Sequence, residues 1–89
     1  MGDVLIFFQA APEGLETDLN RMKVGLEAAA KKHGKLPGPI EEKPLAFGLK
    51  ALVVKVIIPD KAGLMDALEA DLRAVEGVSN VETLDMSLI

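Results

Sequence analysis

The side chains able to do chemistry are few and scattered. One histidine, His33, stands beside Lys31 and Lys32, with no second histidine or cysteine at ligand spacing. A metal site or a histidine base needs partners that converge on it. The adjacent acids Glu41 and Glu42 point to opposite faces of an extended chain, so they cannot share one substrate atom. Ser79 and Ser87 have no identifiable base. Neither G-x-x-x-x-G-K-[ST] nor G-x-G-x-x-G occurs. There is no cysteine, which removes disulfides and thiolate metal sites and fits a reducing compartment. No cofactor or metal is expected, and the pattern argues against covalent catalysis.

The residue that stands out is instead an apolar one. Phe47, one of only three aromatics, sits next to Gly48 in a corner, Ala46-Phe47-Gly48, where turn tips normally carry polar residues. Two readings are open. It is a plug for another protein's pocket, or it folds back into its own core, where most phenylalanines lie.

The elements around it follow from periodicity. Eighty-nine residues make one small domain with no room for a deep cleft between lobes. Hydrophobic residues are 49% and charged residues 27%, so the chain folds rather than staying disordered. Residues 3 to 11 read as a strand, with Val4, Ile6 and Phe8 on one face and Leu5 and Phe7 on the other. Helix one is expected from Leu15 to His33. Its stripe is Leu15, Leu19, Met22, Leu26 and Ala29, and Gly34 stops it. Gly25 inside it permits close packing on the sheet. Pro37, Gly38 and Pro39 make a loop into an edge strand at 40–46. The β-branched run at 49–58 forms a strand with Leu52, Val54, Val56 and Ile58 inward, and Lys55 marks the less buried face. Helix two is expected at 64–75 and the last strand at 81–88. In that strand Leu84, Met86 and Leu88 form the apolar face, and Val81 is out of phase unless a bulge intervenes.

The order β-α-β-β-α-β predicts an α+β, ferredoxin-like sandwich: a four-stranded antiparallel sheet with two helices on one face. Leu5, Phe7, Val53 and Ile57 then point to the open face, either as a protein interface or as ordinary sheet surface.

Within that fold, several activities lack their residues. An acylphosphatase-type hydrolase needs an arginine in an anion-binding first loop, where Ala10-Ala11-Pro12-Glu13-Gly14 offers an acid. An RNA-recognition domain needs stacking aromatics on its central strands in a basic, glycine-rich setting. A metal-shuttling domain needs C-x-x-C. Net charge is −4 and the isoelectric point about 4.9. The basic cluster Lys31-Lys32-His33 lies at a helix C-terminus, where it complements the dipole. Direct nucleic-acid binding is not expected, while an acidic surface suits a basic protein partner. The start MGDVLIFFQAAPEG lacks a basic n-region, and Gln9 and Pro12 break its apolar run. No membrane association is expected, and the expected location is the cytoplasm.

The run Glu42-Lys43-Pro44-Leu45-Ala46-Phe47-Gly48-Leu49-Lys50-Ala51-Leu52, followed by the Val/Ile strand and Pro59-Asp60, resembles the translation elongation factor 1-beta family. The likeness extends to the Met1-Gly2-Asp3-Val4 start and to Glu76-Gly77-Val78-Ser79-Asn80-Val81. It is to the stand-alone archaeal form, similar to the exchange domain of the eukaryotic factor. The resemblance implies that residues 1–89 are a single guanine-nucleotide exchange domain. Its partner would be the GTPase elongation factor 1-alpha, GDP-bound or nucleotide-free. It also implies a partner surface at Leu45, Ala46, Phe47, Gly48, Leu49 and Lys50, with Phe47 packing on the GTPase. A second contact is implied at Ser87, Leu88 and Ile89. Eukaryotic members place a lysine near the C-terminus into the magnesium site; here no lysine follows Lys61. The competing reading is a small-ligand-binding regulatory domain of the same fold, without exchange activity.

Overall fold

Strand β1, Asp3–Pro12, buries every second side chain in the computed structural model, which describes residues 2–89. Met1, first in the Met1-Gly2-Asp3-Val4 start, lies outside the described residues. Val4, Ile6, Phe8 and Ala10 face the core. The β-branched strand β3, Lys50–Pro59, runs antiparallel to β1, from Asp3 opposite Pro59 to Ala10 opposite Leu52. It buries Leu52, Val54, Val56 and Ile58, as the alternation predicts. Edge strand β2, Glu41–Pro44, pairs outside β3, and β4, Val78–Leu88, pairs outside β1. Helices α1, Leu19–His33, and α2, Leu64–Arg73, bury Met22, Leu26, Ala29, Ala30, Leu68 and Leu72 in the same cluster as the inward strand residues. The sheet order β2-β3-β1-β4 with both helices on one face is the ferredoxin-like α+β sandwich.

Helix α1 begins four residues later than the expected Leu15. Asp18 caps it, its Oδ1 accepting from the amides of Asn20 at 3.0 Å and Arg21 at 3.3 Å. Before the cap, Thr17 Oγ1 accepts from the Gly14 amide at 3.1 Å and closes a turn. Leu15 therefore leaves the stripe and is exposed in the loop. Gly25 does permit close packing, though against α2's end rather than the sheet. A Cβ there would stand 2.6 Å from Val75 Cγ1. Gly34 is needed for space, because a Cβ would run into the Ile57 carbonyl. That approach lets Lys35 exchange backbone hydrogen bonds with Ile57 (2.8 and 2.7 Å), extending the β2 side of the sheet.

The last strand corrects the expected core face. Phe7 is opposite Asp85 and Phe8 opposite Thr83, so Leu84 is an extra residue in a bulge. Opposed antiparallel residues share a face. Val81 opposite Ala10, Met86 opposite Ile6 and Leu88 opposite Val4 are thus in phase on the helix side. Only Val81 is buried, however; Leu84, Met86 and Leu88 are all exposed. Arg73 Nη2, at the end of α2, donates to the Val81 carbonyl at 3.0 Å and fixes that end of the helix. Ten helical residues span about 15 Å, or roughly four to five strand residues. Met86 and Leu88 lie past that reach.

On the open face Leu5, Phe7, Val53 and Ile57 are half-buried. Lys55 Nζ sits 5.5 Å from the Phe7 ring centroid and 3.3 Å from Glu41 Oε1, so a charge covers part of the apolar surface.

The two helices are tied by His33 Nε2 and Asp71 Oδ2, 2.6 Å apart. The hydrogen bond from His33 holds the Asp71 carboxyl below its usual range. Partial desolvation opposes this, and the charges of His33 and Lys32 add to it. A carboxyl with a depressed folded pKa contributes stability above its unfolded value, about 3.9, and loses it as pH falls through the folded value. Urea unfolding of wild type and Asp71→Asn should therefore differ near pH 5 and converge below about pH 4. A difference that stays constant across that range would mean that the pair does not act through Asp71 ionisation.

Candidate partner-binding corner

Between Pro44 and Lys50 the chain reverses within five residues. The Leu45 amide donates to the Leu49 carbonyl at 2.7 Å, and the Leu49 amide to the Ala46 carbonyl at 3.3 Å. A single 3-10 turn, Ala46–Gly48, fills this loop. Closing it requires left-handed backbone at two successive residues, Phe47 (φ 60°, ψ 30°) and Gly48 (φ 79°). For Gly48 this conformation is nearly free. For a phenylalanine it costs about 1–2 kcal/mol. Phe47 is the only non-glycine with positive φ among the described residues.

A strained aromatic usually regains energy by burial, about 1.5–3 kcal/mol for a phenylalanine. Phe47 regains none from its own fold, because 92% of it is exposed. The reading in which it folds back into the core is thereby overturned. Its flanking leucines behave differently: Leu45 and Leu49 are half-buried, while Ala46, Gly48 and Lys50 are exposed. The corner is thus a leucine-anchored base with an aromatic tip held into solvent.

The predicted second group of site residues lies elsewhere. Ser87 pairs with Leu5, Leu88 with Val4, and the Ile89 amide donates to the Asp3 carbonyl at 3.0 Å. That is the Pro59 end of β3, whereas the corner is at its Lys50 end. Ten strand residues span about 33 Å, within a molecule 42 Å long. The structure brings residues 45–50 together and 87–89 together, but not the two groups. Leu88 and Ile89 are both exposed.

One neighbour of the corner was not legible as such. Leu15, displaced from the expected stripe, is 70% exposed. Its Cδ2 lies 3.5 Å from where a Gly48 Cβ would be. The available clue was Asp18, a better helix cap than anything before Leu15. On the far side of the same loop, Glu13, Glu16 and Glu76 border a shallow hollow that also takes in Arg21.

The chemical residues have structural roles. His33 is bonded to Asp71. Glu41 pairs with Lys55 at 3.3 Å and Glu42 with Lys23 at 3.7 Å, on opposite faces of β2. Ser79 Oγ donates to the Pro12 carbonyl at 3.0 Å. Among the described residues no cluster of three or more potential ligands could hold a metal ion, and no helix is long and apolar enough to cross a membrane.

Because Phe47 has strain and no packing, Phe47→Gly is expected to preserve or raise stability, by up to about 1 kcal/mol. A core Phe truncation would instead cost about 3–5 kcal/mol. Thermal unfolding of the two proteins decides. A melting temperature lowered by several degrees would mean that the ring packs on its own fold after all.

Comparison with known proteins bears on what such a corner serves. Residues 5–89 match the family described as the EF-1 guanine nucleotide exchange domain. The chain is 41% identical over 85 residues to elongation factor 1-beta of Methanosarcina acetivorans, covering 96% of each. It is 38% identical to elongation factor 1-beta of Methanoculleus marisnigri over the whole of both chains. With that of Methanothermobacter thermautotrophicus it shares 38% identity over 86 residues, 97% of this chain and 96% of the other. The match over residues 5–89 and the likeness to these archaeal relatives along almost the whole chain show that it belongs to the archaeal elongation factor 1-beta family of guanine-nucleotide exchange factors in translation elongation.

Proposed function

We propose that this chain promotes GDP release from elongation factor 1-alpha by docking the Phe47 corner on that GTPase and stabilising its nucleotide-free state. The observation that carries the site is the left-handed, 92% exposed phenylalanine. Strain at a residue without internal compensation points to an external contact. A tip whose backbone is already closed forfeits little backbone freedom on binding, which favours affinity.

The mechanism needs no covalent step. GTPases hold nucleotide and magnesium through phosphate-loop and switch contacts. A partner that binds the empty conformation more tightly must weaken nucleotide binding by the same factor. Leu45 and Leu49 brace the corner, Gly48 allows close backbone approach, and Lys50 sits at its edge. Ser87, Leu88 and Ile89 supply a second contact at the far end of the sheet. With no lysine after Lys61, that contact is apolar rather than cationic.

The test is release of a fluorescent GDP analogue from elongation factor 1-alpha of the same source, chased with unlabelled nucleotide. Wild type should accelerate release catalytically. Phe47→Ala, still folded, should lose about tenfold or more of that acceleration, the size expected of a central aromatic anchor. Acceleration unchanged by Phe47→Ala would sink the site and leave the function. No acceleration by wild type at any concentration would sink the choice of partner.

A further inference from the structure

We infer that the partner surface is built from two loops, with Leu15 of the β1–α1 loop as a second apolar contact that selects the GTPase. This inference rests on the docking of the Phe47 corner proposed above. Leu15 has no part in the core: the Asp18 cap starts the helix after it and leaves it 70% exposed. Its loop is nonetheless held, by the Thr17–Gly14 hydrogen bonds of 3.1 and 3.2 Å and by the Glu13 amide donating to the Gly77 carbonyl at 2.9 Å. A leucine on a loop already held in place loses little backbone freedom when a partner covers it.

The position of Leu15 ties it to the corner. A cleft runs between the two loops, bordered by Leu15, Gly14 and Thr17 on one side and Gly48, Leu49 and Lys50 on the other. Leu15 Cδ2 lies 3.5 Å from where a Gly48 Cβ would stand, so the two loops meet at van der Waals distance. A surface that seats on Phe47 borders this cleft, whose rim begins at the next residue, Gly48. The occupant is the same GTPase, laying an apolar side chain across Leu15 where it abuts Gly48.

The test uses full-length protein and the GDP-release assay with Leu15→Asp, Leu15→Met and Phe47→Ala side by side. Thermal melts of all three are run in parallel. Leu15→Asp should melt like wild type, since the residue is exposed, and lose about tenfold in kcat/KM. Leu15→Met should retain wild-type exchange. If Phe47→Ala loses activity while Leu15→Asp does not, the two-loop surface is overturned and the corner stands. If Leu15→Asp loses activity while Phe47→Ala does not, the corner reading falls and the shared surface with it. Equal loss in Leu15→Asp and Leu15→Met would also overturn the inference, because an apolar contact tolerates methionine.

Discussion

The antiparallel register of β1 on β3 decides where every other part of this molecule stands. With Val4, Ile6, Phe8 and Ala10 opposite Ile58, Val56, Val54 and Leu52, two apolar rows coincide on one face and both helices close over them. Each fully buried aliphatic or aromatic side chain contributes about 1.5–3 kcal/mol relative to exposure. A one-residue slip of β1 would turn Leu5, Phe7 and Gln9 toward the helices and every inward residue out. No polar or charged side chain is buried among the described residues, so no ion pair competes with the apolar match in setting register. The same pairing sets the ends. Ala10 beside Leu52 brings the β1–α1 loop against the β2–β3 corner, and Asp3 beside Pro59 puts Gly2 and Ile89 at the opposite end.

The corner inherits its rigidity from this arrangement. Strand β2 has only four residues, all exposed, and could not by itself hold a strained tip. Strand β3 can, because five of its ten residues are buried. The Leu45–Leu49 hydrogen bond then closes the loop tightly enough that Phe47 must take the left-handed conformation. The energy that holds an aromatic in water comes from the core some residues away.

What was readable in the chain was whatever depends on local periodicity. The inward rows of β1 and β3, the helix stripes past Leu19, and the end of α1 at Gly34 all follow from spacing and stop residues. What was not readable depends on long-range geometry. Leu15 has the right spacing to Leu19 for a stripe, and only the stronger Asp18 cap removes it. The Leu84 bulge restores the phase of Val81, yet whether Met86 and Leu88 are buried depends on where α2 begins, which strand alternation does not contain. The composition of the corner marks Phe47 as unusual. Its exposure was not legible, because burial is the commoner state of a phenylalanine and the sequence leaned that way.

The separation of the two candidate contact regions constrains how exchange can work. A corner and a chain end about 30 Å apart along a strand cannot press on the same nucleotide pocket. Contacts that are equally good with nucleotide-bound and empty GTPase shift no equilibrium, however tight they are. At least one end must therefore meet a part of the partner that differs between those states. A strained, pre-set aromatic suits the other duty, anchoring the complex at fixed orientation. Once anchored, a stiff sheet delivers its far end to a defined place on the partner. On the proposal that both regions meet the GTPase, this division would give association to the Phe47 end and discrimination between nucleotide states to the Leu88–Ile89 end.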